Sequence, residues 1–271
     1  MRDAIGMYEA GTHAGEDLAN RQRGDRDWQH AEKYHAPPTR FILMSMRTAM
    51  AWGLMTMMCL APRVAAAQDT VDGQLWMQVV ATVRLSDNWR LHLEEQPRWY
   101  QDTSESYQVI TRTALGRRLG DRATLWGGYA WIAKPPGEGV THEQRIWEQF
   151  SATFPDAGRF TPSMRLRLEQ RFQDGWDDNS HRLRMMGRAV RPLSESRAWS
   201  LVGWNELFVT LDDTEAGPWQ GVDQNRLFGG VLRQFNPKVG LELGYMWTTS
   251  EAPDRDRTHA HVAFVWLNLA L

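Results

Sequence analysis

The stretch Met164-Arg165-Leu166-Arg167-Leu168-Glu169-Gln170-Arg171-Phe172 decides the fold. Met164, Leu166, Leu168 and Phe172 share one parity; Arg165, Arg167, Glu169 and Arg171 share the other. A β-strand sends successive side chains to opposite faces, so this segment has one apolar face and one charged face. About ten stretches of this kind, each roughly ten residues long, follow residue 67. In a water-soluble sandwich the hidden face is the apolar one. In a closed sheet crossing an outer membrane the assignment inverts, with apolar side chains toward lipid and charged ones toward a lumen. The expected fold is all-β: an antiparallel, up-and-down transmembrane β-barrel. A soluble periplasmic sandwich is the alternative, because alternation alone does not say which face meets water.

The residues before this pattern read as an export signal. Arg40 and Arg47 precede an apolar run from Thr48 to Ala61, and Ala65-Ala66-Ala67 supplies small residues ahead of Gln68. A basic start, a short apolar core and an A-x-A exit are the parts of a Sec signal peptide, and the run is short for a membrane-spanning helix. The expected division is an upstream or disordered extension over 1–43, with translation starting at Met44 or Met46, a signal peptide over 44–67, and a barrel over 68–271. Cys59, the single cysteine, falls inside the signal, so the exported part has neither disulfide nor thiolate chemistry.

From Gln68 onward there are 21 Arg and 2 Lys against 26 Asp plus Glu, a net charge of −3. Nucleic acid would call for a basic surplus, so it is not an expected partner. The preference for Arg over Lys carries more information. Arg stays charged when desolvated and grips carboxylates through a planar fork, which suits a crowded lumen and also suits lipopolysaccharide phosphates. Trp76, Trp89, Trp99, Trp131, Trp199, Trp247 and Trp266 lie toward the ends of the expected strands, where indoles settle at a membrane interface.

Strands are expected at 71–84, 89–100, 106–119, 122–133, 141–154, 163–174, 179–192, 198–211, 222–235, 238–249 and 258–270. Short connections such as Ser86-Asp87-Asn88, Gly120-Asp121 and Asn236-Pro237 alternate with longer ones such as Asp212 to Val222. Short periplasmic turns opposite longer outer loops are the asymmetry of outer-membrane barrels. Eleven segments conflict with the even strand number of bacterial single-chain barrels, so the expected count is ten or twelve. Val265, Leu267, Leu269 and Leu271 share one parity, a partial match to the C-terminal strand signal read by the barrel-assembly machinery, which ordinarily ends in an aromatic residue.

The succession Trp89-x-Leu91-x-Leu93-Glu94, Gly127-Gly128-Tyr129, His142-Glu143-Gln144-Arg145-Ile146-Trp147-Glu148-Gln149, Arg165 to Arg171, Arg182-Leu183-Arg184, Asn205-Glu206, Asp223-Gln224-Asn225-Arg226 and Gly244-Tyr245-Met246 resembles a family of uncharacterised secreted bacterial proteins. It is catalogued as domain of unknown function 2490. The resemblance spans nearly all of the exported chain and implies an outer-membrane barrel. It implies no reaction, ligand or catalytic residue.

The charged parity supplies the candidate lumen residues: Glu94 and Arg98; Arg112; Glu143 and Arg145; Arg165, Arg167, Glu169 and Arg171; Arg182 and Arg184; Glu206; Arg226; and Glu242. Arg90, His92 and Arg188 lie on the same face. Neighbouring strands would set these into Arg–Glu ladders. One reading is structural, a small barrel filling its interior with paired charges. The leading functional reading is a narrow pore or passive transport barrel whose Arg-rich lumen favours a small polar or anionic solute. Outer-membrane lipid and lipopolysaccharide are the other expected partners, and no cofactor or metal is expected. The acidic loops, Asp174 to Asn179 among them, fall short of a calcium-loop pattern. A lipid-modifying hydrolase is the rival class. Ser180-His181 beside Asn179 is its best candidate, and His259 with His261 lacks an evident third ligand for a metal.

Overall fold

The computed structural model describes residues 70–100, 105–134, 141–215, 219–251 and 257–271. The expected signal segment and upstream extension lie outside them. Eleven strands follow one another: β1 (Thr70–Arg84), β2 (Trp89–Tyr100), β3 (Glu105–Arg118), β4 (Ala123–Lys134), β5 (Thr141–Thr153), β6 (Thr161–Gln173), β7 (Asn179–Pro192), β8 (Trp199–Thr210), β9 (Gly221–Asn236), β10 (Val239–Glu251) and β11 (Arg257–Ala270). Each pairs with its sequence neighbours, and β1 pairs with β11, so the sheet closes into a barrel with no free edge.

The strand count corrects the expectation of ten or twelve. All ten sequence-adjacent pairs are antiparallel. An odd number of alternating strands leaves the first and last pointing the same way, so β1 and β11 meet as a parallel pair. That seam runs without a register shift from Thr70↔Thr258 to Thr82↔Ala270. The sheet is therefore mixed rather than wholly antiparallel. The eleven segments read from alternation were the strands themselves, and the even-number rule was the step that misled.

Burial follows parity around the barrel. Leu93, Leu115, Tyr129, Ile146, Leu166, Leu201, Leu227, Leu243 and Tyr245 are exposed on the outer face, while charged side chains between them are buried inside. Polar residues buried and apolar ones exposed is the inversion expected where lipid is the outer solvent. Trp89, Trp131 and Trp199 lie exposed outside, as their positions near strand ends suggested. Trp76 does not: its even-numbered site on β1 faces inward, where it is 3% exposed. Trp266 on β11 also faces inward, packed on the interior cluster around Phe264.

Large interior rings are seated over glycines. A Cβ on Gly128 of β4 would come within 2.5 Å of the Trp147 ring and 2.6 Å of Ala114 Cβ. Gly230 of β9 and Gly244 of β10 face each other in the register and would both put a Cβ 2.6 Å from the Phe228 ring. The missing side chains at these positions make room for the aromatic rings against the wall.

Candidate functional site

Inside the barrel, alternation turns charges from eight strands inward, and the register decides which of them meet. Glu169 on β6 lies opposite Arg182 on β7. It is fully buried and accepts from Arg184 Nη1 at 2.7 Å, Arg182 Nη2 at 2.8 Å and Arg145 Nη1 at 3.2 Å. Glu206 on β8 accepts from Arg165 Nη2 at 2.6 Å and from Arg184 Nε at 2.9 Å, with Arg226 Nη1 3.9 Å away. Glu143 on β5 accepts from Arg145 Nε at 2.7 Å and Arg171 Nε at 2.5 Å. Glu94 on β2 pairs with Arg112 on β3 and with His92. Glu242 on β10 takes both ends of the Arg188 fork, at 2.9 and 2.7 Å.

These contacts exceed neighbour-to-neighbour ladders. Arg165 reaches past β7 to Glu206, and Arg188 on β7 reaches past two strands to Glu242, so side chains bridge the lumen as well as lining it. In the register, Arg167 stands directly opposite Arg184, and Arg145 opposite Arg171. Like charges in such positions repel. Here each pair shares a carboxylate: Glu169 lies 3.7 Å from Arg167 and 2.7 Å from Arg184, while Glu143 holds both Arg145 and Arg171.

Aromatic faces and amides take much of the remaining cation surface. The Arg98 guanidinium lies 3.6 Å from the Trp76 ring centroid, Arg167 4.2 Å from Trp147, and Arg226 4.4 Å from Phe208 and 4.8 Å from Trp76. Arg98 also donates to Gln108 at 2.8 Å and Gln96 at 2.9 Å, and Arg167 donates to Gln149 at 2.8 Å. Arg suits this setting because its planar group can stack and donate at once, and desolvation strengthens the cation–π attraction.

All fourteen candidate residues therefore lie in this interior network; thirteen are buried, and Arg165, with 21% of its side chain exposed, is half-buried. Sequence reading missed the amides Gln96, Gln108 and Gln149, the rings of Trp147 and Phe208, and Asp223, which lies 3.7 Å from Arg182. Asp223 was hidden by a break in parity. The β8–β9 register shifts between Phe208↔Gln224 and Val209↔Val222, so a bulge turns Asp223 inward although it is three residues from Arg226.

Charges in the core do not balance. Eight arginines and six carboxylates are buried, and the half-buried Arg165 and Arg188 bring the arginines to ten. The network carries four more positive than negative groups among the described residues. Space within it is small. A cavity of about 40 Å³ remains at mid-depth, and one of about 240 Å³ opens toward the long-loop end beside Asp72, Gln74, Thr248 and Ser250.

The rival candidates are not brought together. Adjacent in β7, Ser180 is buried inside, while His181 faces outward and pairs with Asp212 at 2.5 Å. His142 stacks on Trp131, His259 on Trp247, and His261 lies against Tyr245. His142 belongs to β5 and the other two to β11, on well-separated parts of the wall.

The geometry defines a class: a closed β-barrel with an apolar outer wall and a cationic, tightly filled interior. Residues 73–259 match the family described as a protein of unknown function, DUF2490. The chain belongs to that family. An uncharacterized protein of Methylorubrum extorquens is 33% identical over 190 residues, covering 69% of this chain and 82% of that protein. Among solved structures, the NanC porin aligns with a TM-score of 0.43 at 10% identity, over 74% of this chain and 99% of that one. The translocator domain of the autotransporter NalP from Neisseria meningitidis aligns at 0.40 and 11% identity, over 80% and 94%. At these scores the likenesses carry no argument about function.

Proposed function

We propose that this protein is an outer-membrane barrel whose interior admits small anions along a narrow, arginine-lined path. The observation that carries the reading is the interior surplus of positive charge, two among the buried groups and four with the half-buried Arg165 and Arg188. A network serving only to fill space gains nothing from unmatched cations, since each uncompensated buried charge costs several kcal/mol (order of magnitude). A lumen that draws anions in uses the same surplus, because low-dielectric walls focus the field along the axis. The exposed apolar wall suits lipid. The reading assigns no catalytic role, since Ser180 and His181 face opposite sides of the wall.

One observation favours a second reading. The mid-depth cavity, about 40 Å³, is too small for a hydrated ion to pass without side-chain movement. A closed barrel, with the network as its packing, would leave that plug permanently shut. Single-channel recording in planar bilayers under asymmetric salt separates the two. Discrete steps with an anion-favouring reversal potential support the pore. Protein that is demonstrably folded and inserted yet electrically silent overturns it in favour of the closed barrel.

A further inference from the structure

We infer that the mid-depth cavity is a binding site for a compact carboxylate, with Arg112 and Arg226 as its principal donors. The inference rests on the anion-admitting reading above and specifies what the interior holds. Five arginines line the cavity (Arg112, Arg165, Arg167, Arg184 and Arg226) against two carboxylates, Glu94 and Glu206, so positive groups outnumber negative ones in its lining by three, with Glu169 behind the wall shared by Arg184 and Arg167.

Three of those arginines still have donor capacity: Arg165 has a buried, unpartnered Nε–H, and the other two are more deeply enclosed. Arg112 is 5% exposed and Arg226 9% exposed, and each keeps an Nε–H with no hydrogen-bond partner. A buried donor left unpaired is costly, and one next to a cavity is an offer to an acceptor. Arg226 is also the most weakly neutralised of the cavity's cations, with its nearest carboxylate oxygen 3.9 Å away on Glu206. Its guanidinium lies 4.4 Å from the Phe208 ring and 4.8 Å from the Trp76 ring, contacts that hold it in place without saturating its donors.

The chemistry of the walls narrows the ligand. Carboxylate presents two oxygens in a plane, the shape a guanidinium edge matches best. Trp76, Trp204, Met186 and Met246 supply the apolar part of the lining. That apolar part suits a short hydrocarbon end rather than a second charge. The volume, about 40 Å³, holds roughly three water-sized groups at 10–15 Å³ each. An acetate-sized monoanion fits these limits, and a bulky dianion such as inorganic phosphate does not.

The test uses the full chain in detergent micelles, in chloride-free buffer, with sodium acetate observed by saturation-transfer NMR. Saturable acetate binding is expected, stronger than formate binding and not displaced by equimolar phosphate. Arg226→Gln should weaken it about tenfold or more, the loss expected for one hydrogen bond to a charged group. Arg165→Gln, at a half-buried position, supplies a second variant if Arg226→Gln fails to fold. Arg233→Gln, outside the cavity, should leave binding unchanged. Wild-type protein that shows no saturable acetate binding, or binding unaffected by both cavity variants, overturns the inference. An electrically silent barrel that binds acetate sinks the pore and leaves the site. A barrel that passes anions without saturable binding sinks the site and leaves the pore.

Discussion

Removing the charge of Glu169 should be the most damaging conservative change in the interior. The side chain is fully buried and holds Arg145, Arg182 and Arg184 within 3.2 Å, with Arg167 at 3.7 Å. Glu169→Gln keeps the shape and one acceptor oxygen but leaves four clustered guanidiniums without their shared carboxylate. Breaking one partner out of a buried ion pair typically costs about 3–5 kcal/mol. The larger number of cations here places the expected loss at the upper part of that range. Equilibrium urea unfolding in lipid vesicles, followed by tryptophan emission, measures it. The double variant Glu169→Gln/Arg184→Gln should recover part of the loss, because it removes one of the stranded cations. A Glu169→Gln penalty below about 1 kcal/mol, the range of surface pairs, would show that water screens the network and refute the picture of a dry, tightly coupled interior.

Other perturbations probe different parts of the reading. Ile146→Arg, at an exposed site midway along β5, should cost about 2–4 kcal/mol in a bilayer. A soluble sandwich would tolerate the same change with little effect, so vesicle-based unfolding of this variant tests which face meets lipid. Trp147→Ala removes a 1%-exposed ring lying over Gly128 and under Arg167, with an expected loss of about 3–5 kcal/mol by the same assay. Arg167→Ala and Arg184→Ala each lower the positive surplus by one and should shift the reversal potential toward cations in asymmetric salt; unchanged selectivity in both would remove the arginines from the conduction path.

The strands were legible in the chain because one solvent boundary runs along each of them. Wherever a strand separates lipid from lumen, the two parities differ in chemistry, and segments such as Met164–Phe172 declare both faces. What alternation could not give was anything depending on how the sheet closes. The parallel β1–β11 seam depends on global parity, which no single segment encodes. Asp223 was concealed because a bulge shifts the phase of β9 locally. Trp76 and Trp266 were misplaced because indole is at home both at a membrane interface and over a buried guanidinium, and only the inward parity of their sites distinguishes the two. Charge read together with strand parity foretold that the fourteen candidates would face inward, whereas charge alone would have included the exposed Glu95 and Glu148. Which of them would share a carboxylate across the lumen, as Arg165 and Glu206 do, required the register.

The parallel seam also governs how the chain could be rewired. In a barrel with an even number of strands, the first and last strand ends lie on one rim, and a tight turn could join them. Here Thr70 sits beside Thr258 at one rim, while Ala270 sits beside Thr82 at the other. Thirteen paired residues separate the two levels, about 40 Å of wall at roughly 3.3 Å per residue. A linker joining Leu271 to the start of β1 would need on the order of a dozen extended residues. It would have to run through the arginine-filled interior or along the apolar outer wall. Circular permutants that connect the ends of β1 and β11 should therefore fail to close the barrel, whatever new ends are opened at its turns.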